Sequence, residues 1–321
     1  MKKLAGAFIL LWICLVVTPV SAFAQRALIP VGRIIGLELR DETVTVAAFT
    51  ENASGNRSEG LQIGDQLVKI NDRPIRGAED VLDALEDSCG ELNILVRRGG
   101  KEKNLKIMPM QTAEGPRLGI YLRQGITGIG TVTFYDPETG EFGALGHGVN
   151  DGKGQLLKMR TGQIFDAGVV SVKKGCAGQP GQLRGAVTEK EPLGQLRCNT
   201  PQGVFGKTDR PLEGQAVPVA QTDAVKTGPA VIRSTVHGNT VREYSVEILK
   251  IYAEKRADGR NFLLRVTDPA LLEQTGGIVQ GMSGSPIIQD GKLVGAVTHV
   301  LVNDPTTGYG IFIENMLDAA A

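Results

Sequence analysis

Aromatic residues are scarce in this 321-residue chain: one tryptophan, five tyrosines and nine phenylalanines. There are only three histidines and four cysteines, and no net charge, because 35 Lys+Arg meet 35 Asp+Glu. Balanced charge excludes the basic footprint of a bulk nucleic-acid binder. No Cys-x-x-Cys pair occurs and the histidines are scattered, so a zinc site lacks a ligand set, and nothing demands another metal or a cofactor. Long amphipathic helical stretches are missing, which argues against an all-helical fold. Glycine, by contrast, is abundant: 42 residues, nearly twice the usual share of about 7 %. With 41 % hydrophobic residues the chain has material for a real core, which excludes disorder. Its length suggests two domains of about 150 residues each.

The first residues read as a targeting segment. Lys2 and Lys3 supply positive charge, Leu4 to Val20 is apolar apart from Thr18 and Pro19, and Ser21-Ala22-Phe23-Ala24 offers small residues for a signal peptidase. Residues 1–24 are therefore a cleaved signal peptide or a retained membrane anchor. Either reading exports the remainder. Cys14 lies in this segment and Cys89, Cys176 and Cys198 remain. Export permits disulfides, and Cys176 with Cys198 could close one.

From Arg26 to about Thr112, short apolar strands alternate with one helix. Val44–Phe49 reads as a strand, and Ala78–Leu85 is amphipathic, with Val81, Leu82 and Leu85 at helical spacing. Between them runs Gly60-Leu61-Gln62-Ile63-Gly64-Asp65-Gln66-Leu67-Val68-Lys69-Ile70-Asn71-Asp72. Gly64-Asp65 makes a turn, Leu67 and Ile70 enter the core, and Asn71-Asp72 turns the chain toward the helix. This run resembles the central signature of PDZ domains. The resemblance implies a peptide-binding module in which an extended peptide, by its C-terminus or an internal segment, adds as a strand beside the helix. Its loop would be Ile35-Gly36-Leu37 ahead of the strand Glu38–Arg40, with Leu39, Val81, Leu82 and Leu85 forming the groove.

Beyond Gly115 come short β segments and glycine turns, among them Gly130–Tyr135, Gly168–Val172, Val241–Ile248 and Phe262–Val266. Their spacing predicts an antiparallel barrel or sandwich. Pro137–Gly140 reads as a hairpin turn and residues 173–218 as loop-heavy. Gly281-Met282-Ser283-Gly284-Ser285-Pro286 lies between two β stretches, and it resembles the nucleophile loop of chymotrypsin-like serine proteases. Glycines on both sides let the backbone curl so that the amides of Gly281 and Ser283 form an oxyanion hole. Ser285 is the rival nucleophile. A serine needs a base, and His147 in Gly146-His147-Gly148 is the best candidate, set between glycines ahead of the serine. His237 reads as a hairpin tip and His299 as a packed or solvated ring.

The order of PDZ module, Gly143-Ala144-Leu145-Gly146-His147-Gly148, and Gly281–Val300, with the tail Val302–Glu314, resembles the stage IV sporulation protein B peptidases of spore-forming bacteria. The likeness covers Leu28 to Leu317. It implies a mainly β fold, with a small α+β PDZ domain (26–112) followed by a chymotrypsin-like double β-barrel (115–321). It also implies an exported serine endopeptidase in the space between mother cell and forespore. Its substrates would be itself and a membrane-bound regulatory partner of an intramembrane protease, leading to late sigma-factor activation. The family's acid, 15 residues ahead of the serine, falls on Asp268, which the residues alone read equally as the cap of a helix starting at Pro269. Asp166 stands closer to the general chymotrypsin position. The alternatives are an Htr-type quality-control protease, which places its PDZ after the protease domain, and an inactive PDZ scaffold.

Overall fold

Short apolar runs punctuated by glycine turns fold into antiparallel sheet almost throughout. The computed structural model describes residues 26–51, 60–88, 90–152, 154–252 and 259–321, so the leader 1–24, Cys14 and Cys89 lie outside the described residues. In chain order the first strands are β1 (Ala27–Pro30), β2 (Ile34–Phe49), β3 (Gln66–Ile70), β4 (Arg73–Pro74), β5 (Leu92–Arg98) and β6 (Lys101–Ile107). They are followed by β7 (Met110–Thr112), β8 (Gly115–Arg117), β9 (Ile120–Tyr135), β10 (Glu141–Ala144), β11 (Thr161–Lys173), β12 (Gln182–Thr200), β13 (Gly203–Thr208) and β14 (Val217–Pro218). The last are β15 (Gly228–His237), β16 (Thr240–Ile251), β17 (Phe262–Val266), β18 (Pro286–Gln289), β19 (Lys292–Leu301) and β20 (Asp304–Phe312). Helices α1 (Ala78–Glu86), α2 (Pro269–Thr275) and α3 (Ile313–Ala320) sit among them. The hairpin turn at Pro137–Gly140 joins β9 to β10 as expected. Residues 173–218 hold β12 and β13, not mostly loop, because their polar outer face masked the alternation.

Two six-stranded rings result. Strands β15-β16-β17-β20-β19-β18 close a barrel. Its core gathers Ile232, Val246, Phe262, Leu264, Ile287 and Val297. The second ring is β2-β9-β10-β13-β12-β11, closed by pairing of β11 with β2 and of β2 with β9. Closure pairs each of the six strands with two neighbours over at least part of its length. Thr235 Oγ1 donates to the carbonyl of Gly32 and Arg233 Nη1 to that of Pro30, so the two barrels are tied at the N-terminal segment.

The domain boundaries differ from the expected 26–112 and 115–321. Strand β1 and the first half of β2 belong to the barrel, and the small module is inserted between the halves of β2 and β9. Ile35 and Leu37 pair with β9 on one side and β11 on the other, and both are buried. Gly36 and Leu39 are likewise paired on both sides. None of the four has an edge to offer a peptide, so the expected PDZ loop at Ile35-Gly36-Leu37 is ruled out. The sequence pattern missed this because β2 is one 16-residue strand that serves two units in succession. The hand-over lies at Gly125, where φ is +74° and any Cβ would collide with the carbonyl oxygen of Leu39. Only glycine fits that bend.

In the module, β3, β5 and β6 extend the second half of β2, and α1 covers the sheet with Val81, Ala84 and Leu85 buried. Asp80 caps α1 by accepting from the amides of Arg76 and Gly77. Asp65, wholly buried, takes a two-pronged ion pair from Arg98 at 2.6 Å and the Gln62 amide. Burial alone would raise its pKa, but Arg98 and the Gln62 amide together hold it below the usual carboxylate value of 3.8. A carboxylate with a depressed folded pKa stabilises at neutral pH, and that stability is lost as pH falls through and below 3.8. Arg98→Ala leaves this carboxylate buried without its cation. It should cost about 3 kcal/mol, the low end for a broken buried pair because Arg98 is partly exposed, measured by urea unfolding at pH 7.

Candidate active site

Three strand ends converge where the barrels meet. After β10 the chain turns through Leu145 and Gly146, both at positive φ, and delivers His147. Before β18 the loop Gly281–Ser285 delivers Ser283, and the far end of β19 delivers Thr298 and His299. Together with Leu37, Leu39 and Ile129 these residues line a cavity of about 540 Å³. Ser283 and His147, chosen from sequence, are therefore brought to one site. Leu37 and Leu39, expected to hold peptide in the module, line this same cavity.

Backbone hydrogen bonds set the serine loop. The amide of Met282 donates to Val279, that of Gly284 to Val297 and that of Ser285 to Met282. The amides of Gly281 and Ser283 donate to no carbonyl among the described residues, and both residues line the cavity. They are the candidates for the two donors an oxyanion hole requires. Gly284, at φ +96°, lies so close to Thr131 O and Leu145 N that a Cβ would overlap both. Ser285 is excluded as the nucleophile: it is wholly buried and its hydroxyl bonds Ser234 Oγ at 3.0 Å.

His147 Nδ1 lies 2.9 Å from the carbonyl oxygen of Gly148. A carbonyl only accepts, so Nδ1 carries the proton and Nε2 keeps its lone pair, the tautomer a general base needs. Burial lowers the His147 pKa below 6.5, against a smaller opposing effect from Gly148. Ser283 Oγ donates to the carbonyl of Thr298 at 2.7 Å, so the resting hydroxyl points to β19, and rotation about χ1 precedes any proton transfer.

Among the described residues no carboxylate lines the cavity. Asp268 is the N-cap of α2, accepting from Leu271 N at 3.0 Å with Pro269 at the first helical position. The Asp-Pro pair serves the helix, which removes Asp268 from the role of orienting acid in this structure. Asp166 is buried in ion pairs with Arg33 and Arg210 and is also elsewhere. His299, read from sequence as a packed or solvated ring, has its centroid 5.2 Å from that of His147. Its place after the serine strand was the one signal available. Cys176 and Cys198 are both free thiols, so the bridge that export would permit between them is not formed.

Two outcomes follow. Asp268→Ala should lower stability by about 1 kcal/mol, the worth of a cap, and leave the rate per folded molecule within a few-fold; a loss on the order of 10⁴ would make it the triad acid after all. Because burial favours neutral His147, kcat/KM should hold at pH values below 6.5, where an ordinary imidazole is already protonated. Over the same range His147 lowers stability, since the unfolded chain takes up a proton that the folded one resists. An acid limb at or above pH 6.5 contradicts this.

The family described as SpoIVB peptidase S55 matches residues 114–317. Curated relatives include the mitochondrial serine protease HTRA2 of Drosophila virilis, 44 % identical over 52 residues. The same protein of Drosophila erecta is 42 % identical over 52 residues. In each case the match covers 16 % of this chain and 12 % of the relative, so the chain spans about an eighth of the curated relatives it matches. Among solved structures, the Rv3671c protease of M. tuberculosis in its active form is similar at a TM-score of 0.37 and 15 % identity, covering 61 % of this chain and 73 % of that one. The HtrA-type protease AlgW with decapeptide has a TM-score of 0.37 and 13 % identity, covering 65 % and 57 %. With the matched family spanning both the histidine loop and the serine loop, the chain belongs to the SpoIVB peptidase S55 family.

Proposed function

We propose that this protein is an exported serine endopeptidase that cleaves a membrane-bound regulatory protein, and itself, between mother cell and forespore. Its cleavage would release an intramembrane protease and so a late sigma factor. One observation carries the enzymatic part: two undonated amides, of Gly281 and Ser283, share a cavity with a histidine whose Nε2 is free to accept a proton. Family membership supports the sporulation setting.

The mechanism follows from these atoms. His147 Nε2 takes the proton of Ser283 Oγ as the oxygen attacks the peptide carbonyl. The Gly281 and Ser283 amides hold the oxyanion. Collapse breaks the C–N bond, and imidazolium returns the proton to the leaving amine. Water, activated by the same imidazole, then hydrolyses the acyl-enzyme. The Gly148 carbonyl holds the tautomer that an acid holds in other enzymes, and with no carboxylate beside it among the described residues the imidazolium is stabilised less.

Mass-spectrometric mapping of cleavage by purified mature protein tests the reading. Ser283→Ala should abolish both self-cleavage and cleavage in trans with an unchanged melting temperature, whereas Ser285→Ala should retain activity per folded molecule. Full activity in Ser283→Ala would refute it.

A further inference from the structure

Strand β9 runs for sixteen residues, Ile120–Tyr135, from the small module into the active cavity. One edge pairs with β2 from Ile120 to Thr131 and with β1 at Phe134 and Tyr135. On the other edge the pairing to β10 begins only at Val132, so among the described residues no strand covers Ile120 to Gly130. Thr131 turns both its N–H and its carbonyl away from β2, donating to Ser283 O and accepting from Leu145 N. Alternate residues of an antiparallel strand turn the same way, and the register from Thr131 to Ile126 is unbroken. Ile129 and Thr127 therefore present outward as well. Beyond the bend at Gly125, Val46 spends its N–H on Asp65 and its carbonyl on Gly64, away from β9. Its partner Leu122 then faces outward, and with it Ile120 and Gln124.

This open edge connects two places. At one end lie Ser283 and the cavity, which Ile126, Gly128 and Ile129 line. A side chain added at Gly128 would meet nothing within 4 Å, so the face of the strand is open there as well. A second cavity of about 980 Å³ continues along the strand and shares Ile126 and Asn150 with the first. At the far end α1 lies alongside: Gln124 Nε2 donates to the carbonyl of Arg76 just before the helix, and Leu118, Ile120 and Leu122 pack with Val81, Ala84 and Leu85. On α1 Leu82 is left 46 % exposed.

We propose that the outer edge of β9, from Gly130 back to Ile120, is a docking rail for the downstream part of the substrate polypeptide, laid antiparallel to β9 with its far end beside α1 and Leu82. The occupant is an extended peptide segment because an open edge offers main-chain donors and acceptors at strand spacing, and because the rail is continuous with the cavity where the bond is cut. At about 3.4 Å per residue the rail seats about ten residues past the scissile bond. This rests on the endopeptidase reading above.

The test uses the mature chain and two peptides sharing one mapped scissile bond, ending about two residues beyond it, short of Thr127, and about twelve residues beyond it. The long peptide should be cleaved with about tenfold higher kcat/KM, from a few added main-chain hydrogen bonds. Thr127 has an exposed side chain and an outward N–H, so Thr127→Pro removes a rung and spares the pairing with β2. It should erase the gain and leave the short peptide's rate within about twofold; Leu82→Gln should weaken only the long peptide. Equal kcat/KM for both peptides, or an undiminished gain in Thr127→Pro, overturns the rail. Binding of fluorescein-labelled randomised peptides, about five and about twelve residues long, to Ser283→Ala protein separates the two readings. Length- and Thr127-dependent binding without any cleavage by the unaltered enzyme would sink the endopeptidase and keep the rail. Cleavage without length dependence sinks the rail alone, and absence of both binding and cleavage sinks both.

Discussion

Thr131 makes the contacts on which the site depends. Its N–H donates to Ser283 O, its hydroxyl to Gly281 O at 2.8 Å, and its carbonyl accepts from Leu145 N. A single wholly buried residue thus holds the serine loop and the histidine loop to the same strand. Thr133 adds a bond from its hydroxyl to Gly284 O. Such bonds inside a dry core are costly to leave unmade, so the two loops cannot slip independently. The serine comes from one barrel and the histidine from the other, and their mutual position is set by this strand. Gly284 is the corollary, since the loop passes too close to Thr131 and Leu145 for any side chain.

The same strand makes the small module part of the catalytic unit. Most appended modules hang on a linker, where relative motion is the default. Here both connections, β2 and β9, are barrel strands that continue into the module and remain paired to each other across the bend. Whatever the module binds is therefore held at a fixed distance from Ser283.

The electrostatics of the site are set by burial and a backbone carbonyl. His147 is kept neutral by desolvation and kept in one tautomer by Gly148. Carboxylates elsewhere do structural work: Asp65 pins the module, Asp166 joins Arg33 to Arg210, and Asp268 starts a helix. The second imidazole, His299, has its ring centroid 5.2 Å from that of His147.

Local chemistry was legible in the sequence. Glycine flanks around Ser283 and His147 marked curled backbones that expose a side chain or an amide, and period-two alternation marked strands. The Asp-Pro pair at Asp268 is a local signal too, and its reading as a cap needed only the helix that follows. Long-range pairing was not legible. Ile35, Gly36 and Leu37 carry a pattern suited to a peptide-binding edge, yet β11, some 130 residues later, covers one side of them and β9 the other. Which strand covers an edge depends on barrel closure, and closure is decided by the register of all six strands together. The amino-acid sequence by itself marked the candidate nucleophile, its candidate base and the glycines that free their loops. Only the tertiary structure decided that one strand serves module and barrel in turn, because strand pairing is a contest between distant segments that no local pattern records.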